Sequence, residues 1–490
     1  MKEKIVELDR RLTAFFRKPL SERTRKICLL FFVLMCPVRI SPNIDIDNWF
    51  ILNHGRYILK HGFPTTEPFT IHTNMVFSME KWLTNVINWE LYSVFGIWAI
   101  VLMIYMIQII SKIVFFKLCK LVTNSNTVAV IVEYFVFFFL MPFFVARPQL
   151  FTILLVLIEM YVLERYEKDG NHRILILMPI ISLLEMQLHS TIYPIIFICL
   201  APYLGESLWK VIKDKDNGEA RKKFKVYVVT FVTSFITTFI NPYGYKSVIY
   251  IFKSYMHKYF DLISELTPPT FKDLFFLLVF IVFMLAFCLR NRERKMPIRY
   301  YLLYFGLYMF ALTACRNVMF LLVGAGFILA YEISDTPWIN KIYEFSLWRY
   351  IVITFVLITV GWNIMFFTNP FKVDLPKRDK EVIEWVNKNV KKGATMYTHL
   401  NEGAMYEFYG YRPYIDSRVE VFFKSINEDY DYYNEYIEVQ IKEIDGNEFI
   451  EKYKFKYIIV TKYDEVYMYV KNNDNYKMIK KGKHMVYERK

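Results

Sequence analysis

The chain has 490 residues, of which 55% are hydrophobic and 19% aromatic, and its formal net charge is +14. This composition excludes an ordinary soluble protein, because several apolar runs approach or exceed the roughly 18–20 residues that cross a bilayer as a helix. Residues 371–490 are nearly neutral, with 22 Lys and Arg against 21 Asp and Glu. The excess positive charge therefore lies around the apolar runs, which is typical of cytoplasmic loops and argues against nucleic-acid binding.

Residues 1–26 are basic and amphipathic, and no small-residue cleavage site follows the first apolar run. This pattern predicts a cytoplasmic N-terminus and not a cleaved signal peptide. The six cysteines all lie in or beside apolar segments. Their positions indicate neither a disulfide framework nor a Cys-x-x-Cys metal pair.

Hydrophobic periodicity predicts an α-helical membrane bundle of about eleven spans within residues 27–369. The expected spans are 27–40, 92–115, 127–145, 149–163, 174–188, 191–209, 226–240, 273–289, 299–314, 317–333 and 349–368. Loops that fall inside when the N-terminus is cytoplasmic carry 28 Lys and Arg, whereas the loops on the other side carry 9. This asymmetry predicts an N-in, C-out topology.

Residues 370–490 are predicted to form a small α/β domain outside the cytoplasm, because strands and helices alternate along them. Expected helices are Asp379–Lys391 and Glu402–Tyr409, and expected strands are Ala394–Tyr397, Tyr411–Ile415 and Tyr457–Thr461. The last of these strands is the clearest buried one, since it is continuously apolar and β-branched.

The first outer loop, residues 41–88, begins with two acids one residue apart, Asp45 and Asp47. A pair of carboxylates at this spacing can bind a divalent metal, or one of them can act as a general base on an acceptor hydroxyl. Either acid can instead cap a short helix that starts just before Trp49. The spacing alone leaves these alternatives open.

The same loop contains three histidines and a second acidic candidate, Glu80. The spacing of His54, His61 and His72 with Asp47 or Glu80 matches no familiar metal site. We therefore expect the three histidines to be surface residues of the loop.

Arg147 and Arg316 each lie between two apolar spans on the predicted outer face. Positive charges there depart from the usual distribution of loop charge, so each arginine needs an anionic partner. The phosphate of a lipid-linked substrate is one candidate, because a guanidinium binds phosphate well. An ion pair with an acid of an outer loop is the other.

Ionisable residues inside the spans, such as Glu159, Glu185 and His189, are functional candidates, although side chains near helix ends also reach the interface. In the C-terminal domain, Asp416 and Arg418 directly follow a predicted strand, where ligands of α/β domains usually bind. A contact between these two residues that only fixes their loop is equally consistent with the sequence.

Taken together, several segments resemble a family of bacterial multi-pass membrane proteins. The resemblance in the first outer loop rests on Asp45–Trp49, Asn53–Ile58, Gly62–Thr70 and Trp82-Leu83. Further landmarks are Arg147-Pro148-Gln149, His189, Asn241-Pro242-Tyr243-Gly244, Arg316 and Tyr414–Arg418. The chain departs from the pattern at Glu67, where Asp is usual before Pro-Phe, and at Lys81, which precedes Trp82. The order and spacing of the motifs are more specific than any single motif.

That family resembles the GT-C superfamily of glycosyltransferases, whose members transfer a sugar from a polyprenyl-phosphate or polyprenyl-diphosphate donor. The resemblance implies a catalytic acid in the first outer loop, at Asp47 or Asp45. Both carboxylates are also possible ligands of a divalent cation, Mg²⁺ or Mn²⁺. Arg147 or Arg316 would then bind the donor phosphate and stabilise the charge that it gains on leaving.

This hypothesis makes the protein a bacterial plasma-membrane enzyme that transfers a hexosyl or pentosyl group to a glycan, lipid or protein of the cell envelope. Its partners would be membrane lipids, the lipid-linked donor and the acceptor, and no nucleic acid. Two alternatives remain at this point: a transporter or flippase of lipid-linked glycans, and a catalytically silent GT-C-like scaffold. A transporter usually shows inverted repeats and broken helices, and the sequence has no detectable repeat.

Overall fold

The computed structural model describes residues 46–123, 126–256, 265, 267–270, 296–334 and 377–490, together with Glu7. The expected spans 27–40, 273–289 and 349–368 lie outside the described residues, and so does Asp45. The helix count of eleven and the N-in, C-out topology therefore stay predictions.

Within the described residues, the first two thirds of the chain form a helical bundle. Its helices are α1 (Ile46–His61), α2 (Trp82–Phe95), α3 (Ile97–Thr123), α4 (Asn126–Leu140), α5 (Gln149–Asp169), α6 (Leu177–His189), α7 (Pro194–Lys213), α8 (Gly218–Thr237), α9 (Tyr245–Met256), α10 (Ile298–Ala311) and α11 (Val318–Ile333). Short 3₁₀ turns precede α5, α6, α7 and α11, at Met141–Phe143, His172–Ile176, Ser190–Ile192 and Cys315–Asn317.

Four helical segments of the described chain are long and apolar enough to cross a membrane. They are Ile97–Thr123, His172–Ile192, Pro194–Lys213 and Cys315–Ile333. The span expected at 92–115 has different bounds, because the helix breaks at Gly96, whose φ of +67° favours glycine. The residues before Gly96 belong to α2, and the span itself is α3.

The expected loop 41–88 is helical at both ends, since α1 occupies Ile46–His61 and α2 begins at Trp82. Helices α1 and α2 approach each other closely at Gly55, where an added Cβ would lie 2.1 Å from the carbonyl oxygen of Asn85. The helix that the capping alternative implied just before Trp49 is present as α1, with Asp47 in its first turn. Its full length was not predicted, because polar residues such as Asn48 and Asn53 lie on its buried side.

The C-terminal domain is a mixed sheet with flanking helices. Its elements are α12 (Lys377–Asn389), β1 (Thr395–Tyr397), α13 (Leu400–Phe408), β2 (Arg412–Pro413), α14 (Lys424–Asn427), α15 (Tyr432–Gln440), α16 (Gly446–Tyr453), β3 (Tyr457–Val460), α17 (Glu465–Val470), β4 (Tyr476–Lys480) and β5 (Met485–Arg489). The strand order is β2-β1-β3-β5-β4, with β1 parallel to β2 and β3, and β5 antiparallel to β3 and β4. The predicted helices and strands of this domain are present, and β3 is fully buried as expected.

The domain packs on the bundle through α13, which contacts α1. Arg56 of α1 donates to the carbonyl oxygen of Phe408 at 2.6 Å, and its guanidinium lies 4.8 Å from the centre of that residue's ring. We call the end of the bundle that contacts this domain the domain-side face.

Candidate functional site

An ion-pair cluster on the domain-side face joins three separate parts of the bundle. Asp47 lies in the first turn of α1, where a negative charge complements the helix dipole. Arg147, just before α5, contacts the Asp47 carboxylate at 3.1 Å and the Glu265 carboxylate at 2.6 Å. Sequence reasoning did not identify Glu265, although this acid lies in residues 241–272, one of the loops on the predicted outer side.

Arg316 belongs to the same cluster through its backbone. Its N–H donates to the carbonyl oxygen of Glu265 at 3.2 Å, and the N–H of Cys315 donates to the carbonyl oxygen of Thr267 at 2.9 Å. Within the part of the chain that the structure describes, the side chain of Arg316 forms no ion pair, and its Nε is buried without a hydrogen-bond partner. This arginine therefore differs from Arg147, whose charge is matched by carboxylates.

The fold thus brings together three of the residues that the sequence singled out, namely Asp47, Arg147 and Arg316. The ion-pair alternative describes what Arg147 does in this structure. No group of three or more His, Cys, Asp or Glu side chains within the described residues is arranged to hold a metal. The carboxylates of Asp47 and Glu265 both contact Arg147, so we derive no step through a metal ion.

Glu80 contacts Ser190, the residue after His189, where the first outer segment crosses the end of α6. The Glu80 carboxylate accepts a hydrogen bond from Ser190 Oγ at 2.6 Å and another from Ser78 Oγ. Burial raises the pKa of Glu80 to about 7, even though the two hydroxyls and the charge of Lys81 favour its ionised form. Glu80 is therefore an acid that changes its charge near neutral pH.

A narrow cleft beside Glu80 lies between the bundle and the C-terminal domain. Its volume is about 30 Å³, and its walls include His54, Glu80, Lys81 and Arg418. That volume holds about two water molecules, since one water needs roughly 10–15 Å³ of such space. The cleft in this conformation is therefore too small for a sugar.

Asp416 and Arg418 form part of a buried ionic network that reaches from the C-terminal domain into the bundle. Arg418 donates to Asp416 through its backbone N–H at 2.7 Å and through its Nε at 2.9 Å. It also contacts Glu67 at 3.0 Å and Glu407 at 3.3 Å, and all four side chains are at most 4% exposed. Of these partners, Glu67 comes from the first outer segment.

The network holds its members in different charge states. Burial would raise the pKa of Asp416, but the Arg418 guanidinium holds it below its ordinary value. Burial, followed by the charge of Asp416, raises the pKa of Glu407 well above its ordinary value. The loop-fixing contact between Asp416 and Arg418 therefore exists, and it extends to two further carboxyls, those of Glu67 and Glu407.

The expectation of surface histidines is wrong for two of the three. His54 is 4% exposed and His72 is 5% exposed, whereas His61 is exposed. His54 packs against Phe69 and accepts a hydrogen bond from Arg418, and His72 lies on the ring of Tyr432. Burial was not predictable because these partners are distant in sequence.

The described architecture is a helical bundle with membrane-length helices and an α/β domain on one end. No family model matches the sequence, and no curated protein matches it. Among solved structures, the chain is similar to the oligosaccharyltransferase of Archaeoglobus fulgidus tethered to an acceptor peptide with an NVT sequon by a disulfide bond. The TM-score is 0.55 at 11% identity, over 90% of this chain and 69% of that one.

The apo form of the same archaeal enzyme gives a TM-score of 0.54 at 11% identity, over 90% of this chain and 70% of that one. Likeness at this level of identity concerns the fold. The fold is therefore shared with this archaeal oligosaccharyltransferase, whereas activity has to be argued from the site.

Proposed function

We propose that the protein is an integral-membrane glycosyltransferase that moves a sugar from a polyprenyl-phosphate-linked donor to an acceptor hydroxyl. The observation that carries the proposal is the cluster of Asp47, Arg147, Glu265 and Arg316 on the domain-side face. It combines an oriented carboxylate with a half-buried guanidinium that has no ion pair among the described residues. A GT-C-like fold is consistent with this chemistry.

In the proposed reaction, the Asp47 carboxylate accepts the proton of the acceptor hydroxyl. The acceptor oxygen then bonds to the anomeric carbon of the donor sugar, and the bond from that carbon to the phosphate oxygen breaks. The bonding electrons go to the phosphate, where the positive charge of Arg316 stabilises them. Arg147 fixes the orientation of Asp47 and does not contact the donor.

The division of roles between the two arginines follows from their partners. Arg147 contacts two carboxylates, so the charge it could offer to a phosphate is already neutralised. Among the described residues, Arg316 has no ion-pair partner and its buried Nε has no hydrogen-bond partner, which favours binding of an anion. We therefore assign the donor phosphate to Arg316.

The proposal also covers where the reaction occurs and what takes part. The domain-side face would be the outer face of a bacterial plasma membrane, with the C-terminal domain helping to bind a glycan, lipid or protein acceptor. A requirement for Mg²⁺ or Mn²⁺ stays a prediction. It is tested by measuring sugar transfer after chelation with EDTA and again after each metal is added back.

A transfer assay with the purified full chain tests the proposal. The donors are undecaprenyl-phosphate-linked hexoses and pentoses that carry radiolabel in the sugar, and the acceptor is bacterial envelope material. We expect label in the envelope fraction, loss of transfer in Asp47→Asn, and a large decrease in Arg316→Gln. Asp169→Asn is the matched control, because Asp169 forms an ion pair with Arg165 of its own helix and with no other described residue.

The assay has clear negative outcomes. Failure of the wild-type chain to transfer any sugar of the panel would overturn the proposal and favour the scaffold alternative. Movement of the intact lipid-linked sugar between leaflets of a vesicle, without transfer, would favour the flippase alternative. Full transfer by Asp47→Asn would remove the role given to that residue.

A further inference from the structure

A chain of three buried polar side chains runs inward from the domain-side face. The hydroxyl of Thr152 lies 2.7 Å from a carboxyl oxygen of Glu185 and 2.8 Å from Nδ1 of His189. Thr152 and Glu185 are fully buried, and His189 is 3% exposed. A single hydroxyl proton therefore connects an acid to an imidazole in the interior of the bundle.

The positions of these residues follow from helix geometry. Glu185 and His189 are four residues apart on α6 and so share one face of that helix. Thr152 lies near the start of α5, five residues after Arg147, which corresponds to a rise of roughly 7–8 Å. The chain of hydrogen bonds thus ends close to the proposed catalytic cluster.

Lys81 lies close to the outward end of this chain, because the carbonyl oxygen of the preceding Glu80 accepts a hydrogen bond from the N–H of Ser190, the residue after His189. The charges of Lys81 and Arg316 both act electrostatically on His189. Among the described residues, neither cation forms an ion pair, and Nε of Arg316 is buried without a hydrogen-bond partner. An anion at this end of α6 would therefore meet two positive charges.

The imidazole itself has one nitrogen to offer. Nδ1 is engaged with Thr152, and Nε2 has no hydrogen-bond partner among the residues that the structure describes. Nε2 is also not one of the fully buried atoms that lack a partner, so this nitrogen can be reached by a ligand from outside the bundle. The direction of the hydrogen bonds between Glu185, Thr152 and Nδ1 of His189 decides whether Nε2 carries a proton and donates, or is bare and accepts.

We infer that His189 is a second ligand of the donor phosphate, and that Glu185 and Thr152 set its Nε2 as a hydrogen-bond donor. The inference rests on the proposed function. Glu185 is buried among apolar helices, forms no ion pair within the described residues, and is therefore stable as the neutral acid. Thr152 donates to Oε1 of Glu185 when that carboxyl is ionised. In the neutral acid, a proton on Oε1 reverses this bond, because the other oxygen, Oε2, is buried without a hydrogen-bond partner among the described residues. Glu185 then donates to Thr152, Thr152 donates to Nδ1 of His189, and the ring proton is on Nε2.

In this arrangement the lipid-linked phosphate receives a hydrogen bond from His189 and positive charge from Arg316 and Lys81. A neutral imidazole between two cations is also the electrostatically favourable form. Thr152 and Glu185 are positioning residues, since they act only through the ring of His189. In this proposal, the phosphate of the donor is bound by three side chains near the end of α6, those of His189, Arg316 and Lys81.

Binding of undecaprenyl phosphate to the purified full chain tests the inference, with the uncharged undecaprenol as the comparison ligand. Thr152→Val removes the hydroxyl at nearly constant volume, and Thr152→Ser keeps it. We expect Thr152→Val to bind undecaprenyl phosphate about threefold to tenfold more weakly than wild type, which is the range for loss of one hydrogen bond. Thr152→Ser should bind within about twofold of wild type. Thr230→Val is the matched control, because Thr230 is a buried helical threonine that bonds only to Val226 of its own helix.

The outcomes separate the inference from the proposed function. If the wild-type chain binds undecaprenol as tightly as undecaprenyl phosphate, the phosphate-donor class of the proposed function fails. If it prefers the phosphate and Thr152→Val binds like wild type, only the inference fails. Equal competition by inorganic phosphate would indicate a general phosphate site in place of a lipid headgroup site.

The tautomer of His189 gives a test that does not depend on a folded Thr152 variant. The chain has eight histidines, so ¹⁵N-histidine NMR of wild type and His189→Gln identifies the signal of this residue by difference. We expect a protonated Nε2 and an unprotonated Nδ1 in the wild-type protein. A proton on Nδ1, with Nε2 bare, would overturn the inference.

Discussion

Arg418 of the C-terminal domain donates a hydrogen bond from Nη1 to Nε2 of His54 in α1, at 2.9 Å. A guanidinium can only donate, so Nε2 must accept and the imidazole must be neutral. Burial, followed by the charges of Arg418 and Lys81, lowers the pKa of His54 well below its ordinary value. The junction between domain and bundle is therefore built around an uncharged histidine.

This contact predicts a specific loss of stability in acid. The unfolded chain binds a proton at His54 below about pH 6.5, whereas the folded chain does not, so the free energy of unfolding falls as the pH falls below that value. His54→Gln should keep an acceptor for Arg418 and remove this dependence. Thermal unfolding in detergent between pH 7.5 and 5 checks it, with the exposed His61→Gln as control; parallel pH profiles for wild type and His54→Gln would refute it.

The ionic network predicts that Arg418 is essential for docking of the domain. Arg418→Met would leave the carboxyls of Glu67, Glu407 and Asp416 buried without their cation, at a cost of about 3–5 kcal/mol. Arg489→Met should cost no more than about 1 kcal/mol, because the Arg489 and Glu451 side chains are 23% and 38% exposed and water partly screens their ion pair. Denaturant unfolding of both variants measures the difference, and similar losses would contradict the assigned role.

Glu80 predicts a pH dependence of the opposite sign. Its pKa is about 7 in the folded chain and ordinarily 4.5, so the folded chain holds the extra proton and the free energy of unfolding falls as the pH rises from 4.5 to 7. Glu80→Gln stays neutral, and its amide can retain the contacts with Ser78 and Ser190. We expect it to be more stable than wild type at pH 8 by up to about 3 kcal/mol, a gain that disappears near pH 4.5. A constant difference across this range would show that Glu80 does not titrate as described.

The crossing of α1 and α2 predicts a strong effect of a single methyl group. Gly55→Ala would place Cβ 2.1 Å from the backbone oxygen of Asn85, so the two helices must separate. We expect a loss of about 1–3 kcal/mol or more, together with weaker docking of the domain on α1. Gly218→Ala, at a helical glycine with open space around it, should be neutral or slightly stabilising. Equal thermal unfolding temperatures for the two variants would contradict this account.

The sequence was sufficient for features that depend on local pattern. Hydropathy located the four membrane-length helices of the described residues, although α3 begins later than expected. The continuously apolar Tyr457–Val460 identified the central strand β3. Strands β4 and β5 were not predicted, because β4 exposes two of its central residues and alternates imperfectly. Local patterning allowed a short helix just before Trp49 but did not show that α1 continues to His61, since its buried side includes Asn48 and His54.

Contacts between distant segments were beyond a single sequence. Glu67 and Arg418 are 351 residues apart, and nothing in either neighbourhood indicates the other. The partners of Arg147 were predicted only as a class, an acid of an outer loop, and the fold was needed to identify Asp47 and Glu265. The positive-inside rule was informative because it marked both arginines as needing a partner.

The ion pairs of Arg147 predict a non-additive pattern in the transfer reaction. Arg147→Met would leave the Asp47 and Glu265 carboxylates close together without their cation, and mutual repulsion would turn Asp47 away from the acceptor. A displacement of about 1 Å at a reacting group costs roughly 100-fold in rate, so we expect kcat to fall by about that factor. Adding Glu265→Gln to Arg147→Met removes one negative charge and should restore part of the rate, whereas Glu265→Gln alone should cost about tenfold or less. The four initial rates form a double-mutant cycle, and multiplicative losses would show that the two residues act independently.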